Sequence, residues 1–331
     1  MREATSHHVR RVSSLLAPFI VALAVVLGAK PASTQEPRWG REYLPNVAVV
    51  DQDRRQLKFY DDLIKGKIVV ISFVYTSCNS ICPLTIARLA EVKDTLGDAM
   101  GRDIFFVSVS IDPIPDTPEK LKEYANAFKI GPGWSFITGD PEHIDLIRYK
   151  LGERSGKAIA QHKSEVLMFN DVTGEWSRSS VFADLGVLTM EIRGMDPEWR
   201  RAQSLEVKSD GDRLHDGVKS SGVADRPGQA LFLKACAACH TVGGGDKLGP
   251  DLSGLTVRRG LDWITRYMVS PDKVRAAHDP IAQELRQRYP NIRMPKLGLS
   301  DADAADVISY IESAKPTAAS VAERPETSSG K

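Results

Sequence analysis

KIVVISFVYTSCNSICP, residues 67–83, decides the fold of the first half of this chain. Ile68 to Val74 is an unbroken run of β-branched and aromatic residues around one serine, the pattern of a central strand buried on both faces. The run leads into a pair of cysteines and a proline. PLTIARLAEVKDTLG (83–97) then places Leu84, Ala87, Leu89, Val92 and Leu96 at helical spacing, and Gly97 ends the segment. Working outward, DIFFVSVSI (103–111) predicts a second buried strand, and DTPEKLKEYANAFKI (116–130) a helix with Thr117 as N-cap and Pro118 in its first position. WSFITG (134–139) reads as a strand, PEHIDLIRYKLG (141–152) as a helix, and SEVLMFND (164–171) as a fourth strand ending at a DVTG turn. Strands alternating with helices in this way make an α/β sheet.

The periodicity dissolves from about Glu198. KSDGDRLHDGVKSSGVADRPG (208–228) is polar and rich in Gly and Ser, so 40–199 is expected to be one domain and 200–227 a flexible linker. GQALFLKACAACH, LDWITRYMVS and DADAADVISYIESAK then predict a small all-α domain over 228–315, its last helix capped by Ser300. The polar tail 316–331 reads as disordered. At the other end, Arg2, Arg10 and Arg11 precede the apolar run LLAPFIVALAVVLGA. Residues 1–35 therefore read as a signal peptide or an N-terminal membrane anchor, and the expected location is periplasmic, either soluble or held to the inner membrane by that segment. With 44 basic against 43 acidic residues, the chain has no basic field for nucleic acid.

Export changes the meaning of the four cysteines, because thiols in an oxidising compartment tend to be paired, ligated or functional. They form two tight pairs, Cys78 with Cys82 and Cys236 with Cys239, and each encloses too few residues to stabilise the fold much as a disulfide. CAACH (236–240) has the attachment signature of c-type haem, in which Cys236 and Cys239 form thioethers and His240 lies under the iron. A zinc site needs two further ligands at comparable spacing, and this domain has no other cysteine.

The region resembles class I cytochrome c through LGPDLSGL (248–255) and RMPKLGLS (293–300). That resemblance implies one covalent haem c with Met294 as the second axial ligand, a ligation suited to electron transfer. Met268 and His278 are the competing ligands, and Pro250 is expected to shape the loop over the proximal side.

Cys78 and Cys82 stand four apart at a helix start, which places them on one face. Such a pair can close a disulfide with some adjustment, or put two soft thiolates on Cu(I). Thioredoxin-like reductases use a pair one residue tighter, and the Thr76 spacing does not match a peroxiredoxin.

FVYTSCNSICP, SIDPIPDTPEKLKEYA (110–125) and QHKSEVLMFND (161–171) together resemble the Sco/SenC copper proteins over Tyr43 to Asp171. The resemblance implies a thioredoxin-like fold and one copper ion, Cu(I) or Cu(II), on Cys78, Cys82 and His162, with Asp112 close by. Asn79, Ser80 and Ile81 depart from the Pro-Asp often found between the cysteines, and the likeness fades beyond Asp171.

The expected function is copper delivery to, or redox preparation of, the copper-site subunit of cytochrome oxidase. The haem domain would exchange single electrons with a respiratory donor or acceptor. The rival is a thiol–disulfide oxidoreductase in which Cys78 and Cys82 cycle as the catalytic pair.

Overall fold

The computed structural model describes residues 40–153, 165–209 and 228–314. Among them seven strands form one sheet: β1 (Ala48–Asp51), β2 (Gln56–Lys58), β3 (Ile68–Val74), β4 (Ile104–Ser110), β5 (Trp134–Thr138), β6 (Glu165–Asn170) and β7 (Glu175–Ser180). Their spatial order is β2-β1-β5-β4-β3-β6-β7. β3, β4 and β5 are parallel, and β3 runs beside β4 in register from Ile68 opposite Ile104 to Val74 opposite Ser110. β1 and β6 pair antiparallel with β5 and β3. Every residue of β3 is buried, as its continuous apolar run requires.

Helices cover both faces. Ile68, Val70 and Val74 of β3 meet α1 (Ile81–Leu96), α2 (Pro118–Ala127) and α4 (Leu185–Arg193) through Leu89, Leu121, Leu188 and Ile192. Val69, Ile71 and Phe73 face α3 (Pro141–Lys150) through Ile144 and Ile147, together with a wide helical turn at Phe59–Ile64. α2 starts as expected, with the Thr117 side chain accepting from the Lys120 N–H and Pro118 in the first turn. This is a thioredoxin-like α/β layer with the predicted strands and helices in their predicted places.

One boundary differs. The segment expected to be a linker from residue 200 begins as a helix, α5 (Pro197–Ser209). Asp196 caps it by accepting from the Glu198 N–H at 2.8 Å, Pro197 preorganises its first turn, and Arg200 forks onto Glu175 at 2.9 and 3.0 Å. The rest of that linker, 210–227, lies outside the described residues, as do the leader at 1–35 and the tail at 316–331. Among the described residues no helix is long and apolar enough to cross a membrane.

The second domain comprises α6 (Gln229–Ala235), α7 (Leu261–Val269), α8 (Pro271–Ala276), α9 (Pro280–Arg288) and α10 (Asp301–Ser313), with a short turn of helix at Leu255–Arg258. Its core joins Phe232, Ile264 and Met268 to Val307, Ile308 and Ile311 of α10. Ser300 forms a full capping box with Asp303. Gly228, at φ 80°, opens the domain against α10 so closely that a Cβ there would lie 2.1 Å from the Asp306 carbonyl oxygen.

The two domains meet on α1. The apolar cluster on that side of the sheet continues into the second domain, with Ala238 only 1% exposed within it and Leu248, Ile292 and Leu297 against it.

Candidate thiol site and haem cavity

The first site is built by the N-terminus of α1. Cys78 and Cys82 are both buried thiols. The Cys82 side chain hydrogen-bonds Cys78, whose sulfur also receives the Cys82 and Ser80 N–H groups and the Tyr75 hydroxyl. The first N–H groups of a helix have no partner within it, so a sulfur placed there is solvated by the backbone. These donors, led by the Cys82 side chain, outweigh burial and pull the Cys78 thiol down to about 5. Cys82 is pushed the other way, first by burial and then by the neighbouring sulfur. One thiolate and one buried thiol therefore face each other. Alkylation by iodoacetamide should show it: the rate at Cys78 is expected to stay nearly flat from pH 6 to pH 8, where an ordinary thiol of pKa about 8.5 gains almost tenfold per unit. A rise of that size would remove the assigned thiolate.

Asp116 holds the loop from below. It is fully buried and accepts from the Thr76 N–H, from Thr76 Oγ1 at 2.5 Å and from Ser110 Oγ at 2.6 Å. Sequence reasoning singled out its neighbour Asp112, which is half-buried, with burial and then Asp116 raising its carboxyl. The signal for Asp116 was present in the DTP that opens α2, but it read only as a helix start. His162 lies outside the described residues, and among those described no group of three or more His, Cys, Asp or Glu is placed to hold a metal. The two sulfurs do not share one helix face as expected, because the helix begins at Ile81 and Cys78 lies in the loop before it. They nevertheless meet at its head and suit copper: two soft donors, one of them held in its ligating form.

The second site is a cavity of about 470 Å³ lined by Cys236, Cys239, His240, Met294 and Met268. The chain turns back over itself here, with the His240 and Cys239 N–H groups both bonded to the Cys236 carbonyl. His240 Nδ1 donates to the Pro250 carbonyl at 2.8 Å, which leaves Nε2 as the free lone pair. Burial lowers its pKa, so the imidazole is neutral and able to ligate. Pro250 thus shapes the proximal loop, as expected. Gly249 lies flat against that ring, where a Cβ would come within 2.5 Å of Cε1.

Asp251 organises the same loop, accepting from Thr241 Oγ1 and from the Ser253, Gly243 and Gly245 N–H groups. Burial works to raise its carboxyl, yet these donors hold it down at about 2. Arg275, also lining the cavity, donates to the Met294 carbonyl at 2.9 Å and fixes the loop that carries the thioether. Met268 also lines the cavity but belongs to the apolar core of α7. His278 is exposed and is not among the lining residues. Arg258, Arg259, Arg288 and Arg293 stand around the cavity, where cations suit the carboxylates of a haem. Two thiols, a neutral imidazole with its other nitrogen tied, and a thioether within one apolar cavity fit haem c.

Comparison with known proteins agrees with both halves. Residues 47–173 match the SCO1/SenC family model, and residues 226–315 match the cytochrome c model. The SCO2-like protein of Rickettsia conorii is 37% identical over 93 residues, covering 28% of this chain and 44% of that protein. The SCO1 homolog of Bacillus subtilis is 32% identical over 77 residues, covering 23% of this chain and 39% of that protein. The chain spans about half, or less, of the length of these curated relatives. The crystal structure of an SCO1/SenC family lipoprotein from Bacillus anthracis superposes with a TM-score of 0.41 at 24% identity, covering 46% of this chain and 94% of that one. The chain thus joins a thioredoxin-like domain that matches the SCO1/SenC family model over residues 47–173 to a helical domain that matches the cytochrome c model over residues 226–315.

Proposed function

We propose that the chain is a periplasmic copper-handling redox protein that serves assembly of the dinuclear copper site of a cytochrome oxidase. Copper is cargo held by Cys78, Cys82 and His162, and its client is the oxidase subunit that carries the copper site. One haem c is attached through Cys236 and Cys239 with His240 and Met294 on the iron, and it supplies one-electron chemistry. Contact with a membrane is limited to the N-terminal segment.

The observation that carries this reading is the sulfur pair at the head of α1, with Cys78 held as thiolate. Cu(I) titration of the reduced protein against a chelator of modest affinity tests it. One copper per chain is expected, and no uptake overturns the proposal.

A second reading rests on the asymmetry of the same pair. An ionised Cys78 beside a protonated Cys82 is the arrangement of an attacking and a resolving thiol in a thiol–disulfide oxidoreductase. Cys82→Ser separates the two readings. A stable mixed disulfide between Cys78 and a client peptide favours exchange, whereas no trapping, together with loss of the copper that the parent chain takes up, favours cargo binding.

A further inference from the structure

The head of α1 serves both sites. Pro83 and Leu84, directly after Cys82, help line the haem cavity. A helix that covers a sheet normally keeps one face in water, yet α1 is buried through its first turns, including the polar Thr85 and Arg88.

Arg88 explains the second of these. It spreads its donors over four carbonyl oxygens. Nε donates to Val181 at 2.5 Å and Nη2 to Ala183 at 2.7 Å within the first domain. Nη1 donates to Lys234 at 2.8 Å and Leu233 at 3.3 Å in the second. Those last two carbonyls end α6, the helix that leads into Cys236, and a helix C-terminus favours a cation.

Two further links flank it. Lys247 pairs with Glu91 of α1 and also donates to the Ala237 carbonyl at 3.0 Å. The Lys296 N–H, two residues after Met294, donates at 3.0 Å to the carbonyl of Asn79, which lies between the two site cysteines. Ser80 Oγ returns a 3.3 Å bond to the Lys296 carbonyl. The loop that carries the thioether and the loop that carries the thiols are thus bonded backbone to backbone. Tyr124 of α2 is half-buried on the same side, with its enclosed hydroxyl unpartnered among the described residues.

We propose that the two domains work docked, with Pro83 and Leu84 as a wall of the haem cavity and Arg88 as the positioning residue, so that electrons pass between the haem and the Cys78–Cys82 site within one chain. This deepens the copper reading and rests on it for the identity of the acceptor. One electron leaves ferrous iron and reduces Cu(II) to Cu(I); no proton or atom moves.

Two measurements on the full haem-loaded chain test it. The first needs no copper: hydrogen exchange at the Lys296 amide, which docking protects. Protection is expected in the parent chain and is expected to fall at least tenfold in Arg88→Gln. Because Arg88 also bonds Val181 and Ala183, Glu91→Lys is the second variant. It should lose the same protection, and adding Lys247→Glu should restore it.

The second measurement is stopped-flow oxidation of the reduced haem after the thiol site is loaded with a Cu(II) salt. The rate is expected to be first order and independent of protein concentration, and at least tenfold slower in Arg88→Gln. A rate proportional to protein concentration, or a Lys296 amide that exchanges equally fast in parent and variants, overturns the proposal. Failure of copper uptake with the amide still protected defeats the copper reading and supports the docking.

Discussion

Cys78→Ser is expected to cost the chain its copper while leaving its haem in place. Serine keeps the size of the side chain and removes the soft donor. Its hydroxyl stays protonated at neutral pH, so the backbone donors from Ser80 and Cys82 no longer stabilise a ligating anion. Losing a mere outer partner of a metal ligand costs about 10–100-fold in affinity, so removal of a direct thiolate should exceed a hundredfold. The check is Cu(I) competition beside a haem assay on the same sample. Copper retained within a few-fold of the parent, or a haem content that falls with the copper, would contradict the assignment of separate sites.

The second large effect is expected from Gly249→Ala, a change of one methyl group. The added carbon would lie 2.5 Å from His240 Cε1 and 3.0 Å from Nδ1. The ring cannot simply swing aside, because Nδ1 is bonded to Pro250 and the loop is tied down by Asp251. Overpacking of a closed interior costs about 1–3 kcal/mol, and here it falls on the proximal ligand. Haem attachment should drop sharply, and any haem retained should lose the visible charge-transfer band of Met–iron ligation. Glycine at 254, which has open space around it, supplies the control: Gly254→Ala meets no atom within 4 Å, though its φ of 61° makes the backbone less favourable. Equal haem loss in both variants would point to general destabilisation.

Local pattern carried most of the architecture. The buried run of β3, the Thr117–Pro118 start of α2 and the Ser300 box at α10 all rest on neighbours in sequence, and each formed where expected. CAACH was legible for the same reason, since one turn of chain brings both thiols and the imidazole together.

What escaped was long-range. Arg88 reads as an ordinary polar position on a helix until carbonyls 93 and 146 residues away meet it. Asp116 gains its meaning from Thr76, 40 residues earlier. The edge strand β7, EWSRSS, has too little apolar alternation to announce itself, and α5 was hidden because polarity suggested a linker while its Asp196–Pro197 start pointed to a helix. No period in the sequence reports that two domains share a face.

Gly228 bears on the order of events during synthesis. The first backbone of the haem domain rests on Asp306, near the far end of the same domain, with no room for a side chain between them. The segment holding CAACH therefore has no seat until Asp301–Ser313 has emerged and coiled. Up to that moment Cys236 and Cys239 are not yet enclosed, and the closing helix acts as a latch thrown last.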